Sequence, residues 1–464
     1  MQSSNVKVES KFKVRALLAT YFALCTFALA PVWAAERSPL IEAARNSDRV
    51  ALRALIAKGA DVNAAEPDGT TALHWASYRD DVESADAMLR AGAKVNSAND
   101  LGATPLWIAS LNGSGAMVRR LLQAGANPNA ALLRGETPVM VASRSGSTEV
   151  VEQLLAKGAN VNARATRGQT ALMWAVAQKH SGVVKLLLAR GADVHAKSDV
   201  WSQVMAVPPH GLLEYNRAIP HGSDTALMFA ARVGDLDSAK LLVSAGANVN
   251  DADAWGVSAT VLAAHSGYTD IVEFLLDRGA DPNAAKAGFS ALHAAIMHRD
   301  EKMVAALLTH GADANAPLQT WTPTRRSSRD FNFAPELVGA TPFWLAARFT
   351  EPEVMRLLVK HGANPLVVHR AEYADLSQAR QTQVTTALMA AVGMGGGTAW
   401  ARPDLDKWEP LMLDAVKLAV DLGVDLNAAN TDGRTALDAA TAFHYETVVK
   451  FLVEKGARSG VKKD

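Results

Sequence analysis

Two small apolar motifs alternate along nearly the whole chain. Adjacent leucines stand at Leu121-Leu122, Leu154-Leu155, Leu187-Leu188, Leu275-Leu276, Leu307-Leu308 and Leu357-Leu358, and adjacent alanines at Ala230-Ala231 and Ala263-Ala264. A polar motif, Gly-Ala-(Asn/Asp)-x-Asn or a close variant, punctuates them, with its Gly at 59, 92, 125, 158, 191, 246, 279, 311, 362, 423 and 456. Six of the ten successive spacings are 33, one is 32, and the three long ones exceed 33 by 22, 18 and 28. This pattern predicts eleven copies of one unit, some separated by insertions, in place of several independent domains.

The unit explains its own period. It opens on Thr with Pro or Ala and an apolar residue, as in Thr71-Ala72-Leu73-His74, Thr104-Pro105-Leu106 and Thr341-Pro342-Phe343. Thr suits a helix N-cap, and Pro at the first helical position gives up an N–H that has no partner there. The alanine pairs let neighbouring helices approach closely. A second helix carries the leucine pair and stops at the repeated Gly, which enters the left-handed region without a Cβ penalty. Asn and Asp then suit the turns of a protruding hairpin. One such unit cannot bury its apolar face alone; stacking on neighbours does that.

The T-A-L-H-W-A run at 71–76, G-A-D-V-N at 59–63 and the 33-residue period resemble the ankyrin repeat, over about residues 38 to 458. The resemblance implies an all-α solenoid of about eleven helix–turn–helix units with β-hairpin fingers and a concave palm. It further implies a protein that binds other proteins, with no catalysis of its own and no cofactor. Polar end units agree with a stacked array: Glu42, Arg45, Asp48 and Arg49 mark the first, and Asp438 the last.

Composition changes the picture at the N-terminus. The chain has 464 residues, 47 basic and 47 acidic side chains and one cysteine. Lys7, Lys11, Lys13 and Arg15 precede the apolar run Ala16 to Ala30, followed by Pro31 and Val32-Trp33-Ala34. A basic start, an apolar core and a small-residue site predict a secretory signal peptide over 1–34. The array then occupies 35–460, with a charged tail at 461–464. Export points to a bacterial periplasm or the cell exterior. The alternative is an uncleaved membrane anchor, since Ala16 to Ala35 is 20 uncharged residues. Cleavage removes four basic residues and one acidic one, which leaves a net charge of about −3, and it removes Cys25. The balanced charge argues against nucleic acid as a partner.

Individuality is concentrated in four insertions, near 197–223, 317–338, 368–384 and 394–410. The first two carry Trp201, Tyr215, Trp321, Phe331 and Phe333 beside Arg217, Arg325, Arg326 and Arg329. Aromatic and Arg side chains are common anchors of binding surfaces; the competing expectation is that these rings fold back over neighbouring units. The ankyrin resemblance also implies which residues face the palm: the pairs Tyr78-Arg79, Leu111-Asn112, Arg144-Ser145, Ala177-Gln178, Arg232-Val233, His265-Ser266, Met297-His298 and Arg348-Phe349. Arg79, Arg144, Arg232 and Arg348 would line it with positive charge and favour a partner with acidic or hydrogen-bonding groups. The anchors expected for a protein partner are therefore Tyr78, Arg79, Arg144, Arg232, Arg348, Phe349, Trp201 and Trp321.

Other chemistry is weakly signalled. Gly393-Met394-Gly395-Gly396-Gly397 lacks the Lys-Ser/Thr of a phosphate loop and reads as a flexible insertion. His210 and His221, with Glu214 and Asp224, are spaced loosely for zinc. They support only an alternative reading, an accessory or regulatory subunit of an envelope enzyme with a small-molecule or metal site in the insertions. A third reading is a structural spacer. His74 and His293 are expected to steady the fingers by hydrogen bonds, and Met140, Met173, Met228 and Met389 to fill the core.

Overall fold

The computed structural model describes residues 38–205, 217–322, 332–374, 379–401 and 405–460. Among these, twenty-two α-helices form eleven antiparallel pairs, from Pro39–Arg45 with Arg49–Ala57 to Ala436–Ala442 with Glu446–Glu454. The first helices of successive pairs pack on one another in one layer, and the second helices in another. The expected ankyrin solenoid and its count of eleven are what the chain adopts.

Local chemistry makes each pair. Thr104, Thr170 and Thr341 accept the N–H three residues on, capping their helices. The repeated Gly ends each second helix with positive φ, +80° at Gly59 and +86° at Gly125. Leu121, Leu154, Leu187, Leu275 and Leu307 are wholly buried, as are Met140, Met173, Met228 and Met389 to within 1%. Truncating one such Leu to Ala in mid-array would cost ~3 kcal/mol.

The Asn of the Gly-Ala-Asn-x-Asn motif does more than turn the chain. Asn63 donates from Nδ2 to the Gly92 carbonyl at 3.2 Å, and its Oδ1 accepts from the Lys94 N–H at 2.8 Å. Asn96, Asn129, Asn162, Asn250, Asn283 and Asn315 repeat this double clamp to the next unit. Two positions break the series, His195 and Leu366. A β-hairpin follows each break: β1 (Trp201–Met205) with β2 (Arg217–His221), and β3 (His369–Ala374) with β4 (Arg380–Thr385). Both hairpins are antiparallel, pairing Trp201 with His221 and His369 with Thr385 at their bases. The first and third insertions are thus lengthened fingers that stand where the side-chain clamp is missing.

Candidate functional site

The palm divides into three stretches with different fates. In the first, the palm-facing pairs are open: Tyr78 is 53% exposed, and Arg79 and Arg144 are exposed as well. These arginines are not isolated. Arg79 Nε donates to the Arg45 carbonyl at 2.9 Å, and the Arg144 guanidinium lies 4.9 Å from the Trp174 ring centre. One register lower, Arg45 lies 4.4 Å from Trp75 and bonds Glu66 at 2.6 Å. Arginine on one first helix therefore meets the indole of the next unit's first helix, a cation–π contact that orders both side chains.

Sequence reasoning missed the aromatic half of that row. Trp75, Trp174 and Phe229 occupy one slot, four residues after the capping Thr at 71, 170 and 225. The repeated T-A-L-x-aromatic run carried the signal.

The middle stretch lies under the first hairpin. Here Trp201 is half-buried at the hairpin base, stacked on His221 at 4.4 Å, with the Arg167 guanidinium 4.2 Å from its ring. Together with Phe229, Arg232, Asp253, Trp255 and Phe289 these residues bound a cavity of about 750 Å³. Arg232 is exposed but neutralised, bonding Asp224 at 2.9 Å. Burial and the nearby Asp224 raise the Asp253 carboxyl above its ordinary value.

The last stretch is covered by the chain itself. Gly395 and Gly397 take φ +95° and +78°, and a Cβ at Gly396 would come within 2.3 Å of the Glu336 side chain. The glycine run is therefore a fitted strap, and the expectation of a flexible insertion is corrected. It falls between the helices Ala387–Ala391 and Leu405–Asp421, so residues 405–410 of the expected insertion are helical. Arg348 holds the strap, donating to the carbonyls of Gly395 at 2.9 Å and Gly397 at 3.3 Å. Burial pushes its guanidinium down from the ordinary value.

Trp400 closes the strap onto the palm. Its backbone N–H bonds the Met297 carbonyl at 3.1 Å and its indole N–H the Asn332 carbonyl at 2.9 Å. The ring packs 4.9 Å from His265, 4.9 Å from His298 and 5.0 Å from Phe333.

The expected anchors are thereby sorted. Tyr78, Arg79 and Arg144 lie on open palm, while Arg232 and Trp201 border the cavity. Phe349, 4% exposed, is in the core, and Arg348 is turned to the strap. The physical reason is that the strap replaces solvent over their unit. Trp321 is half-buried beside Thr322, whose N–H bonds the Phe333 carbonyl at 3.0 Å. Phe333 itself is fully buried, so this ring follows the fold-back expectation. Tyr215, Phe331, Arg325, Arg326 and Arg329, together with the segment 1–34, lie outside the described residues.

His74 and His293 act as the repeat pattern implied. Each accepts at Nδ1 from its capping residue's N–H, Thr71 or Ser290, at 3.1 Å. Each then reaches the next finger from Nε2, to the carbonyls of Ala103 and Ala316 at 3.0 Å. His210 and Glu214 of the loose metal reading lie outside the described residues. Among the described residues no group of three or more His, Cys, Asp or Glu side chains is placed to hold a metal ion.

A double layer of stacked helix pairs, hairpin fingers and a lined concave face defines a solenoid repeat scaffold. The chain belongs to the ankyrin-repeat family: Ankyrin repeats (3 copies) match residues 19–99, 40–132, 106–198 and 227–317, Ankyrin repeat matches 338–370, and Ankyrin repeats (many copies) match 412–453. Among curated proteins it is similar to the Mitochondrial disaggregase of Bos taurus, 28% identical over 185 residues, 40% of this chain and 25% of that protein. It is similar to the Putative palmitoyltransferase ZDHHC13 of Danio rerio, 29% identical over 260 residues, 51% of this chain and 36% of that protein. A Putative ankyrin repeat protein of Rickettsia felis is 31% identical over 105 residues, 21% of this chain and 46% of that protein. The chain thus spans a quarter to about a third of the length of the first two relatives. Among solved structures the human ASB11 ankyrin repeat domain is 33% identical with a TM-score of 0.44, covering 53% of this chain and 100% of that one.

Proposed function

We propose that this chain is an exported, non-catalytic scaffold that binds a partner protein through the open palm of its N-terminal units and the base of its first hairpin. The observation that carries the reading is the row of ordered arginines and aromatic rings from Arg45 and Trp75 to Arg144 and Trp174. Such a row presents charge and flat apolar area together, with little side-chain freedom left to lose on binding. Arg79 and Arg144 supply the positive charge for an acidic partner surface, since Arg232 is already paired and Arg348 withdrawn. Export rests on the 1–34 pattern of basic residues, apolar core and small-residue site, and places the partner in the periplasm or outside the cell. Among the described residues no helix is long and apolar enough to cross a membrane.

The test is affinity capture from envelope extract with the wild-type chain and with Arg79→Glu/Arg144→Glu. A partner retained by the wild type and lost by the double variant, with circular dichroism unchanged, supports the palm. Equal capture by both refutes it. Mass measurement of the protein from a periplasmic fraction tests cleavage after Ala34.

A further inference from the structure

Eleven copies of one unit provide an internal control, because a residue can be compared with its counterparts. The comparison singles out Asp253. Its Oδ1 accepts the N–H groups of Trp255 at 2.9 Å and Val257 at 2.8 Å, fixing the turn of a finger. Asn99 makes the same two bonds, to Leu101 at 3.1 Å and Ala103 at 2.9 Å, and Asn430 repeats them to Asp432 and Arg434. Leu132 stands at the same place with no side-chain acceptor, and its turn still closes through the Leu132 N–H to Glu136 carbonyl bond of 3.0 Å. The finger therefore needs no carboxylate there. The negative charge of Asp253 is surplus to the fold.

That surplus charge faces the cavity under the first hairpin, beside the half-buried Trp255 ring. Two other aromatic rings of the lining already carry a guanidinium of this chain, Arg167 on Trp201 at 4.2 Å and Arg232 near Phe229 at 5.6 Å. Trp255 meets the Phe289 edge at 5.8 Å, and among the described residues no basic side chain lies over it. Arg232 is the cation whose field reaches Asp253, and it is bonded to Asp224. Burial disfavours ionisation of Asp253 and the nearby Asp224 adds to this, a condition that a bound cation relieves. Arg167 and Arg232 also line the cavity, but each is engaged, on Trp201 and with Asp224, whereas no ion pair to Asp253 is formed among the described residues. A volume of about 750 Å³ is ample for a long side chain.

We infer that the cavity between the first hairpin and the palm takes a basic side chain of the partner, arginine or lysine, its cationic head on Asp253 and its stem along Trp255 and Phe229. This rests on the partner-binding reading above and adds to it a subsite whose acceptor is a carboxylate, where the open palm offers Arg79 and Arg144. An aromatic face and a carboxylate together recognise a cation better than either does alone.

The experiment titrates the purified chain with n-butylguanidinium, following tryptophan fluorescence and calorimetric heat, with n-butylurea as the uncharged analogue of similar shape. Saturable binding of the guanidinium but not the urea is expected. Asp253→Asn should weaken it about tenfold or more, with circular dichroism unchanged because Asn99 and Asn430 already serve this turn. Trp255→Leu should weaken it too. Equal binding of the urea, or unchanged binding by Asp253→Asn, overturns the inference. A second arm uses acetyl-Gly-Arg-Gly-amide: binding that Asp253→Asn abolishes supports a chain-borne ligand, and failure to bind while butylguanidinium binds overturns it. Partner capture that is lost with the Arg79/Arg144 variant yet intact in Asp253→Asn leaves the palm reading standing and removes this one.

Discussion

His293 offers a quantitative test of how the fingers are held. Its ring is 1% exposed, with Nδ1 accepting from the Ser290 N–H and Nε2 directed to the Ala316 carbonyl, so the single proton sits on Nε2. Protonating Nδ1 would set two N–H groups against each other inside the core. Burial accordingly pushes the imidazole down to about 4, only partly offset by the Ala316 carbonyl and Asp313. An unfolded His titrates near 6.5. Because the folded value is the lower one, the stabilisation is complete above about pH 6.5 and is lost as pH falls toward 4. Between pH 7.5 and 4.5 the loss amounts to about 2.5 kcal/mol.

The informative variant is His293→Met, because Met140, Met173, Met228 and Met389 fill the same slot in other units and are buried there. Urea unfolding followed by far-ultraviolet circular dichroism would be run on both proteins at pH 7.5 and 4.5. Other titrating groups are common to the two chains, so the difference isolates this ring. At pH 7.5 the wild type should lead by about 1–2 kcal/mol from its two hydrogen bonds. At pH 4.5 that lead should vanish or reverse. A gap of constant size at both pH values would refute the reasoning.

Other outcomes follow from the same geometry. Trp400→Ala should loosen the strap, speeding proteolysis within 394–401 and making Met297 reactive to mild peroxide; unchanged protection would show that the strap is held elsewhere. Gly222→Ala should disorganise the first hairpin, because its φ is +90° and a Cβ would fall 2.0 Å from the Asp199 carbonyl oxygen. A changed near-ultraviolet circular dichroism spectrum with an unchanged far-ultraviolet one is the readout, and an unaltered near-ultraviolet spectrum counts against it. Glu351 is 4% exposed, with Oε1 unbonded and its proton affinity raised by burial. Glu351→Gln should therefore be neutral or stabilising by about 1 kcal/mol at pH 7.5. A loss of more than about 1 kcal/mol would show that the nearby guanidinium of Arg299, which partly offsets that burial, depends on the Glu351 charge.

The repeat was legible because its causes are local and recur. A capping Thr, a terminating Gly and a leucine pair each act within one unit, so a period in the sequence is a period in the structure. The clamp made by Asn63 and its counterparts was half legible: the residue was read as a turn former, and its bonds to the next unit needed the stack. The palm was least legible, for a reason visible in one register. Arg144, Arg232 and Arg348 occupy one slot, seven residues after the capping Thr, and Arg79 the next; transferring a role along these positions assumes that each faces the same surroundings. Arg79 and Arg144 do meet open palm. Arg232 meets Asp224, at the foot of the first hairpin, and Arg348 meets the carbonyls of Gly395 and Gly397 from an insertion beyond its own unit. Insertions carry no period, so nothing in the spacing says which unit they return to. Asp253 was passed over for the converse reason: it sits where the repeat tolerates almost any residue. Its charge stands out only once the turn is seen to close equally well on Asn99 and on Leu132. In a repeat protein, residues that depart from the pattern without serving the fold are therefore where specificity is to be sought. Here Asp253 is such a residue, and it lines the cavity under the first hairpin.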